Sequence, residues 1–231
     1  MLKPLSEFVL LSYPRSGSNF VWSILNELLP GICLYKSHAA TLRFWTSFTP
    51  ASYIGEGWLM PDRESTAPMY LAHLPTIFVL RDYKECIARQ TLTYVFDDTF
   101  KNQLLNKFPS GNERAEHHYD YIRVLEHFDQ LTMPKILIRY EELVSNTSNS
   151  INDLSTFLRA NGVSQLEDVP PDIAPKSLER YARITTPSMS GGTNLLYHQS
   201  KMTRGTISSI DKFVFSEYPY LAEKYLSPYR K

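Results

Sequence analysis

Residues 8–20, FVLLSYPRSGSNF, carry an apolar, β-favouring run straight into Arg15, Ser16, Gly17, Ser18 and Asn19, and a helix-patterned segment opens at Phe20. This order builds an anion cradle. At a strand-to-helix turn the first backbone N–H groups of the helix have no intrahelical acceptor, so they take an anion together with the helix dipole. Gly17 permits the tight turn, Ser16 and Ser18 add hydroxyls, and Arg15 adds a fixed positive charge. The nucleoside triphosphatase signature GxxxxGKS/T is not matched, because Ser18 follows Gly17 and Ser12 stands where the first Gly would be. The loop therefore predicts a phosphate-bearing ligand other than ATP or GTP with magnesium.

Further clusters stand at the ends of other β-like runs. Lys36-Ser37-His38 closes a short run, Ile32 to Tyr35. Arg81 ends the apolar run inside FVLRDYKECIARQ, residues 78–90, which also contains Arg89. Arg139, Tyr140 and two carboxylates end ILIRYEEL, residues 136–143, and Arg204-Gly205-Thr206 follows a Gly-containing stretch near the C-terminus. The elements that must position these groups are legible. Phe8 to Leu11, Thr76 to Leu80 and Ile136 to Ile138 are continuous apolar runs, the pattern of parallel strands buried on both faces. Val21, Ile24, Leu25, Leu28 and Leu29 share one helical face, which Pro30-Gly31 ends. Residues 82–95 and 112–131 read as helices, and Ile151, Leu154, Phe157 and Leu158 mark another that Gly162 terminates. This alternation predicts an α/β fold. It is expected to be a single domain over residues 1–231, with a central parallel sheet flanked by helices, a P-loop-like strand-loop-helix and ligands at the strand C-termini.

In this order the pieces resemble the sulfotransferases that use 3′-phosphoadenosine 5′-phosphosulfate, and the resemblance spans nearly the whole chain. The family's YPK/RSG(S/T) loop, matched by Ser12 to Phe20, binds the 5′-phosphosulfate. Its Lys-Thr/Ser-His triplet, matched by Lys36-Ser37-His38, carries the catalytic base. Its strand ending in Arg-Asp/Asn-Pro holds the 3′-phosphate and is matched by Arg81-Asp82-Tyr83, with Tyr in place of Pro. Its Tyr-Glu-Asp-Leu segment, whose Tyr lies near the adenine, corresponds to Tyr140-Glu141-Glu142-Leu143, and its late Arg-x-Gly loop to Arg204-Gly205. Where the family has a Ser touching the 3′-phosphate, this chain has Arg89.

The resemblance implies a sulfotransferase fold and sulfonate transfer from that donor to a hydroxyl or amine of a small-molecule, lipid or carbohydrate acceptor. It implies His38 as the base, with Lys36 and Arg15 stabilising the leaving group. Donor contacts fall to Arg15, Ser16, Gly17, Ser18, Asn19, Phe20, Arg81, Arg89, Tyr140, Arg204 and Gly205. No metal is required by this chemistry, and the sequence has no HExxH, CxxC or clustered Asp pattern. Alternatives stay open at this point: His73 as the base, Tyr140 as a packing residue, a nucleotide-binding module without turnover, and a phosphate-loop small-molecule kinase.

Bulk composition sets the outer limits. A chain of 231 residues with 43% hydrophobic content buries a full core. Its 24 basic and 24 acidic side chains cancel, which argues against a broad nucleic-acid surface and makes any useful positive charge local. Cys33 and Cys86 have no metal-ligand spacing and read as buried free thiols of a reducing compartment. The N-terminal apolar run is too short to span a membrane and lacks a small-residue cleavage site, so a cytoplasmic location without membrane insertion is expected. Residues 41–75 and 182–206 lack periodicity. The first of these carries Phe44, Trp45, Phe48, Tyr53 and Trp58, expected to line an apolar acceptor pocket.

Overall fold

Each of the four apolar runs becomes a strand. In the computed structural model, which describes residues 7–28, 33–37, 74–105, 121–163 and 201–231, they are β1 (Glu7–Ser12), β2 (Cys33–Ser37), β3 (Thr76–Leu80) and β4 (Lys135–Arg139). They form one sheet in the order β2-β1-β3-β4 with every pairing parallel; Leu10 lies opposite Lys36 and Ile77, and Val79 opposite Ile138. β2 runs slightly later than the apolar pattern indicates, because its register with β1 carries it through Lys36 and Ser37.

Strand alternation sends successive side chains to opposite faces, which divides the core in two. Phe8, Leu10, Ile77, Val79 and Ile138 pack beneath α1 (Ser18–Leu28), α5 (Tyr140–Ser145) and α6 (Thr147–Ala160). Val9, Leu11, Phe78 and Leu80 face α2 (Tyr83–Thr91), α3 (Asp98–Leu105), α4 (Tyr121–Gln130), α7 (Arg204–Glu217) and the helical turns of residues 219–229. α6 ends as its sequence predicts. Gly162 takes φ +93 while its amide and that of Val163 donate to Arg159 O and Leu158 O, satisfying the last carbonyls.

Other boundaries shift. α2 stops at Thr91 rather than 95, because Leu92 adopts a left-handed φ of 57. α3 was not evident in the sequence; its buried side is only Phe100 and Leu104. Of the helix expected over 112–131, Tyr121–Gln130 is helical and the remainder up to 120 lies outside the described residues, as do the Pro30-Gly31 stop and the 41–73 stretch. Among the described residues no helix is long and apolar enough to cross a membrane.

The topology fixes where a ligand would sit. β1 is followed by α1 and by β2 on one side of it, whereas β3 lies on its other side. Strand order therefore reverses between β1 and β3, and the crevice of such a sheet opens beyond the C-terminal ends of those two strands.

A buried polar bolt ties the C-terminal segment to the same end of β3. Lys84, 0% exposed, donates to Asp211 Oδ1 at 2.6 Å and to Tyr229 O at 2.7 Å. Tyr83 Oη also donates to Asp211 Oδ1, and the Lys231 amide donates to Oδ2 at 2.9 Å. Removing one member of a buried ion pair leaves the other charge uncompensated. Asp211→Ala should therefore lower the unfolding free energy in urea by about 3–5 kcal/mol. The double variant Lys84→Met/Asp211→Leu should lose less than the single, and equal losses would show that packing rather than the charge pair is what Asp211 supplies.

Candidate functional site

The loop between β1 and α1 is a strained double bend. Ser16 N–H donates to Tyr13 O at 3.3 Å, closing a turn whose central residues are Pro14 and Arg15. Arg15 has φ 68, the left-handed value that the third position of a type II turn requires and that Gly or Asn ordinarily fills. Gly17 follows with φ 90. Left-handed residues alternating with right-handed ones turn successive N–H groups toward one concavity, the backbone arrangement of anion-binding nests. The ladder of α1 begins only with Phe20 and Val21, whose amides both donate to Gly17 O, so the Gly17, Ser18 and Asn19 amides stand ahead of it. Ser16 differs from expectation: its amide closes the turn, and its buried hydroxyl lies 3.5 Å from Cys86 Sγ.

Tyr140 braces this loop from below. A Cβ built on Gly17 would fall 2.2 Å from Tyr140 Cδ2, a distance that real Cβ atoms do not reach, so Gly17 is required by the ring as well as by its φ. The ring also receives Arg81, whose Cζ lies 4.4 Å from its centroid, and Phe20 meets it edge-on. Tyr140 therefore touches both the loop and Arg81 and is itself 8% exposed.

Arg81 is the centre of the site. It is 3% exposed, follows the last residue of β3, and donates from Nη1 to Arg15 O at 3.3 Å. Nη2 reaches Glu85 Oε1 at 3.4 Å, while Nε finds no acceptor among the described residues. Arg89 Nη1 approaches the same Glu85 oxygen at 3.7 Å. Burial, and then the neighbouring Arg81 charge, push the Arg89 guanidinium below its ordinary pKa. The nearby carboxylates are engaged elsewhere. Asp82 caps α2 by accepting from the Lys84 amide, and Glu141 accepts from Asp82 N–H at 3.1 Å and from Tyr229 Oη at 2.9 Å. A buried guanidinium and a partly buried one thus share one carboxylate beside an N–H-lined loop, an arrangement suited to a multiply charged anion.

The remaining candidates are spread more widely. Arg15 has an exposed side chain and donates from Nε to Gln90 Oε1 at 3.2 Å, which lays it along α2. Lys36 is placed by its backbone, at the register position opposite Leu10. Arg204 and Gly205, expected in a loop, are instead the first turn of a 14-residue helix, because Thr203 caps it by accepting from the Thr206 amide. Both are exposed; Lys201, just before them, lies over the Tyr94 ring at 5.0 Å, beside the connection that follows Arg89. His38, His73 and the aromatics from Phe44 to Trp58 lie outside the described residues. Glu85 stands four positions from both Arg81 and Arg89, and both guanidiniums approach its carboxylate. Among the described residues no group of three His, Cys, Asp or Glu is arranged to hold a metal ion.

Compared with known proteins, the chain matches no family model and no curated sequence.

Two predictions follow from the loop. Gly17→Ala should abolish anion binding at the loop and lower stability by more than the roughly 1–2 kcal/mol of a left-handed backbone alone. Placing it in a Tyr140→Ala background should recover the part due to the ring clash, as read by a double-mutant cycle in urea. Cys86 is pushed up to about 12, chiefly by burial. Its folded pKa lies above the unfolded value of 9.0, so the stability it contributes is complete below pH 9 and is lost as pH rises from there toward 12. Native protein at pH 8 should resist thiol reagents at Cys86, and Cys86→Ala should flatten the alkaline limb of the stability curve; rapid labelling of the folded protein would contradict both.

Proposed function

We propose that this chain transfers a sulfonate group from 3′-phosphoadenosine 5′-phosphosulfate to a hydroxyl or amine of a small-molecule, lipid or carbohydrate acceptor, releasing adenosine 3′,5′-bisphosphate. The observation that carries the reading is Arg81. A guanidinium buried to 3% exposure, bonded to the loop through Arg15 O and with no acceptor for Nε among the described residues, forms a second cationic centre next to the first. A donor with phosphates on both the 5′ and 3′ oxygens of its ribose needs two such centres; a nucleoside triphosphate needs one, with a metal.

Each residue then has a definable task. The amides of residues 17–19 and the Arg15 guanidinium take the 5′-phosphosulfate, and Arg81 with Arg89 takes the 3′-phosphate. Tyr140 packs against both Arg81 and the loop. His38 accepts the acceptor's proton as the new bond to sulfur forms. The bond from sulfur to the bridging oxygen breaks, and negative charge grows on the 5′-phosphate. Lys36, Arg15 and the loop amides stabilise that charge without reorganising. Arg204 and Gly205 flank the 3′-phosphate side from the start of α7.

Binding and turnover test this separately. Adenosine 3′,5′-bisphosphate should raise the melting temperature without magnesium, with about 2.7 kcal/mol of stabilisation at a hundredfold excess over Kd. Arg81→Ala should weaken it by roughly 10–100-fold, the worth of a charged hydrogen bond. In a panel of acceptors with labelled donor, His38→Ala should reduce sulfonation by roughly 10²–10⁴-fold. Stabilisation by ATP with magnesium and not by the bisphosphate would overturn the reading in favour of a kinase. Tight bisphosphate binding with no acceptor sulfonated would leave a nucleotide-binding module.

A further inference from the structure

We infer that Glu85 is an internal competitor for the incoming phosphate: its carboxylate engages Arg81 and Arg89 in the free protein, and a phosphate monoester takes both guanidiniums from it. The identity of that phosphate as the 3′ group of a nucleotide rests on the function proposed above. The displacement itself rests on geometry.

Three observations carry it. First, the contacts are weak ones for their kind: Nη2 of Arg81 and Nη1 of Arg89 approach a single oxygen, Oε1, at 3.4 and 3.7 Å. A settled guanidinium–carboxylate pair is bidentate, with distances of about 2.7–2.9 Å. Second, Arg81 Nε has no acceptor among the described residues although the side chain is 4% exposed, so the guanidinium has an edge that Glu85 does not satisfy. Buried donors in native proteins are nearly always paired, so one without an acceptor among the described residues is open to a ligand oxygen. Third, the other acids nearby are committed. Asp82 serves the Lys84 amide and Glu141 serves Asp82 N–H and Tyr229 Oη, so Glu85 is the carboxylate on which both guanidiniums converge.

A chain without Glu85 would hold two like charges on α2 and the end of β3 with less to separate them. The carboxylate therefore performs two opposed tasks, holding the cations together when no phosphate is bound and weakening the phosphate when it arrives. Its charge sets a threshold. A group bearing two negative charges at the Arg81–Arg89 centre displaces the carboxylate more readily than one bearing a single charge, and a nucleotide with no phosphate there leaves the pair as it is.

Glu85→Gln tests this, because it removes the charge and keeps the shape. The variant should melt at a lower temperature than wild type when unliganded and should bind adenosine 3′,5′-bisphosphate at least tenfold more tightly. Adenosine 5′-monophosphate affinity should stay within twofold, and saturating bisphosphate should restore the melting temperature to the wild-type liganded value. Glu85→Asp, which keeps the charge and draws it back along the helix, should fall between the two and guards against a folding failure of the first. A purely structural Glu85 predicts that both nucleotides weaken together in Glu85→Gln, and that result, or an unchanged ratio of the two affinities, would overturn the inference while leaving the donor reading intact. If wild-type protein binds neither nucleotide, the donor reading falls. Inorganic phosphate then serves as the probe: a larger thermal shift in Glu85→Gln than in wild type supports the displacement, and equal shifts overturn it.

Discussion

A guanidinium removed from water is unfavourable by several kcal/mol unless dipoles and counter-charges surround it, and Arg81 draws a neighbour from almost every element near it. The β1–α1 loop gives a carbonyl, α5 the face of Tyr140, and α2 the carboxylate of Glu85. α4 joins through Tyr121, which donates to the Arg81 carbonyl at 2.6 Å. The residue's place at the end of β3 is dictated by a sheet that must bury Thr76 to Leu80 on both faces. A buried cation is thus the unavoidable consequence of continuing an apolar strand into an arginine, and the surrounding elements are arranged in answer to it.

Lys84 shows the contrasting solution three positions further on. Its ammonium reaches Asp211 and the Tyr229 carbonyl at short distances, with Asp82 3.7 Å away, and its partner Asp211 is bonded in turn by Tyr83 and by the Lys231 amide. Every strong donor there has an acceptor at close range. Both cations are buried, one just before α2 and one in its first turn, yet Lys84 is saturated while Arg81 Nε finds no acceptor among the described residues. That difference sets the Lys84 bolt apart from the Arg81 cluster more sharply than burial or charge does.

Much of this was legible in the residues. β1 and β3 announce themselves because strands buried on both faces read as unbroken apolar runs, and Arg15, Gly17 and Arg81 stand where those runs stop. What escaped reading depends on contacts between distant positions. Lys84 and Asp211 are separated by 127 positions, and nothing local marks either as the other's counter-ion. Ser16 looks like a ligand hydroxyl until α2 brings Cys86 beneath it. Arg204 looks like loop because the glycine after it outweighs the cap that Thr203 provides. α3 hides because two buried side chains make too short a stripe to register as a period.

The strand order also bears on how the chain reaches this state. β1 is central, so it cannot complete its hydrogen bonding until β3, far along the chain, arrives beside it; the Arg81 to Arg15 bond alone spans 66 positions. Closing such separations early is entropically slow, and parallel pairings of this kind place a fold toward the slow end of the kinetic range. The Gly17 contact with Tyr140 joins positions still further apart, whereas the turn at Arg15 is closed locally by the Ser16 N–H to Tyr13 O bond. Until β3 and α5 dock, the loop lacks its Arg81 and Tyr140 contacts. The β1–α1 loop consequently acquires its full set of native contacts only once β3 and α5 are in place beside β1.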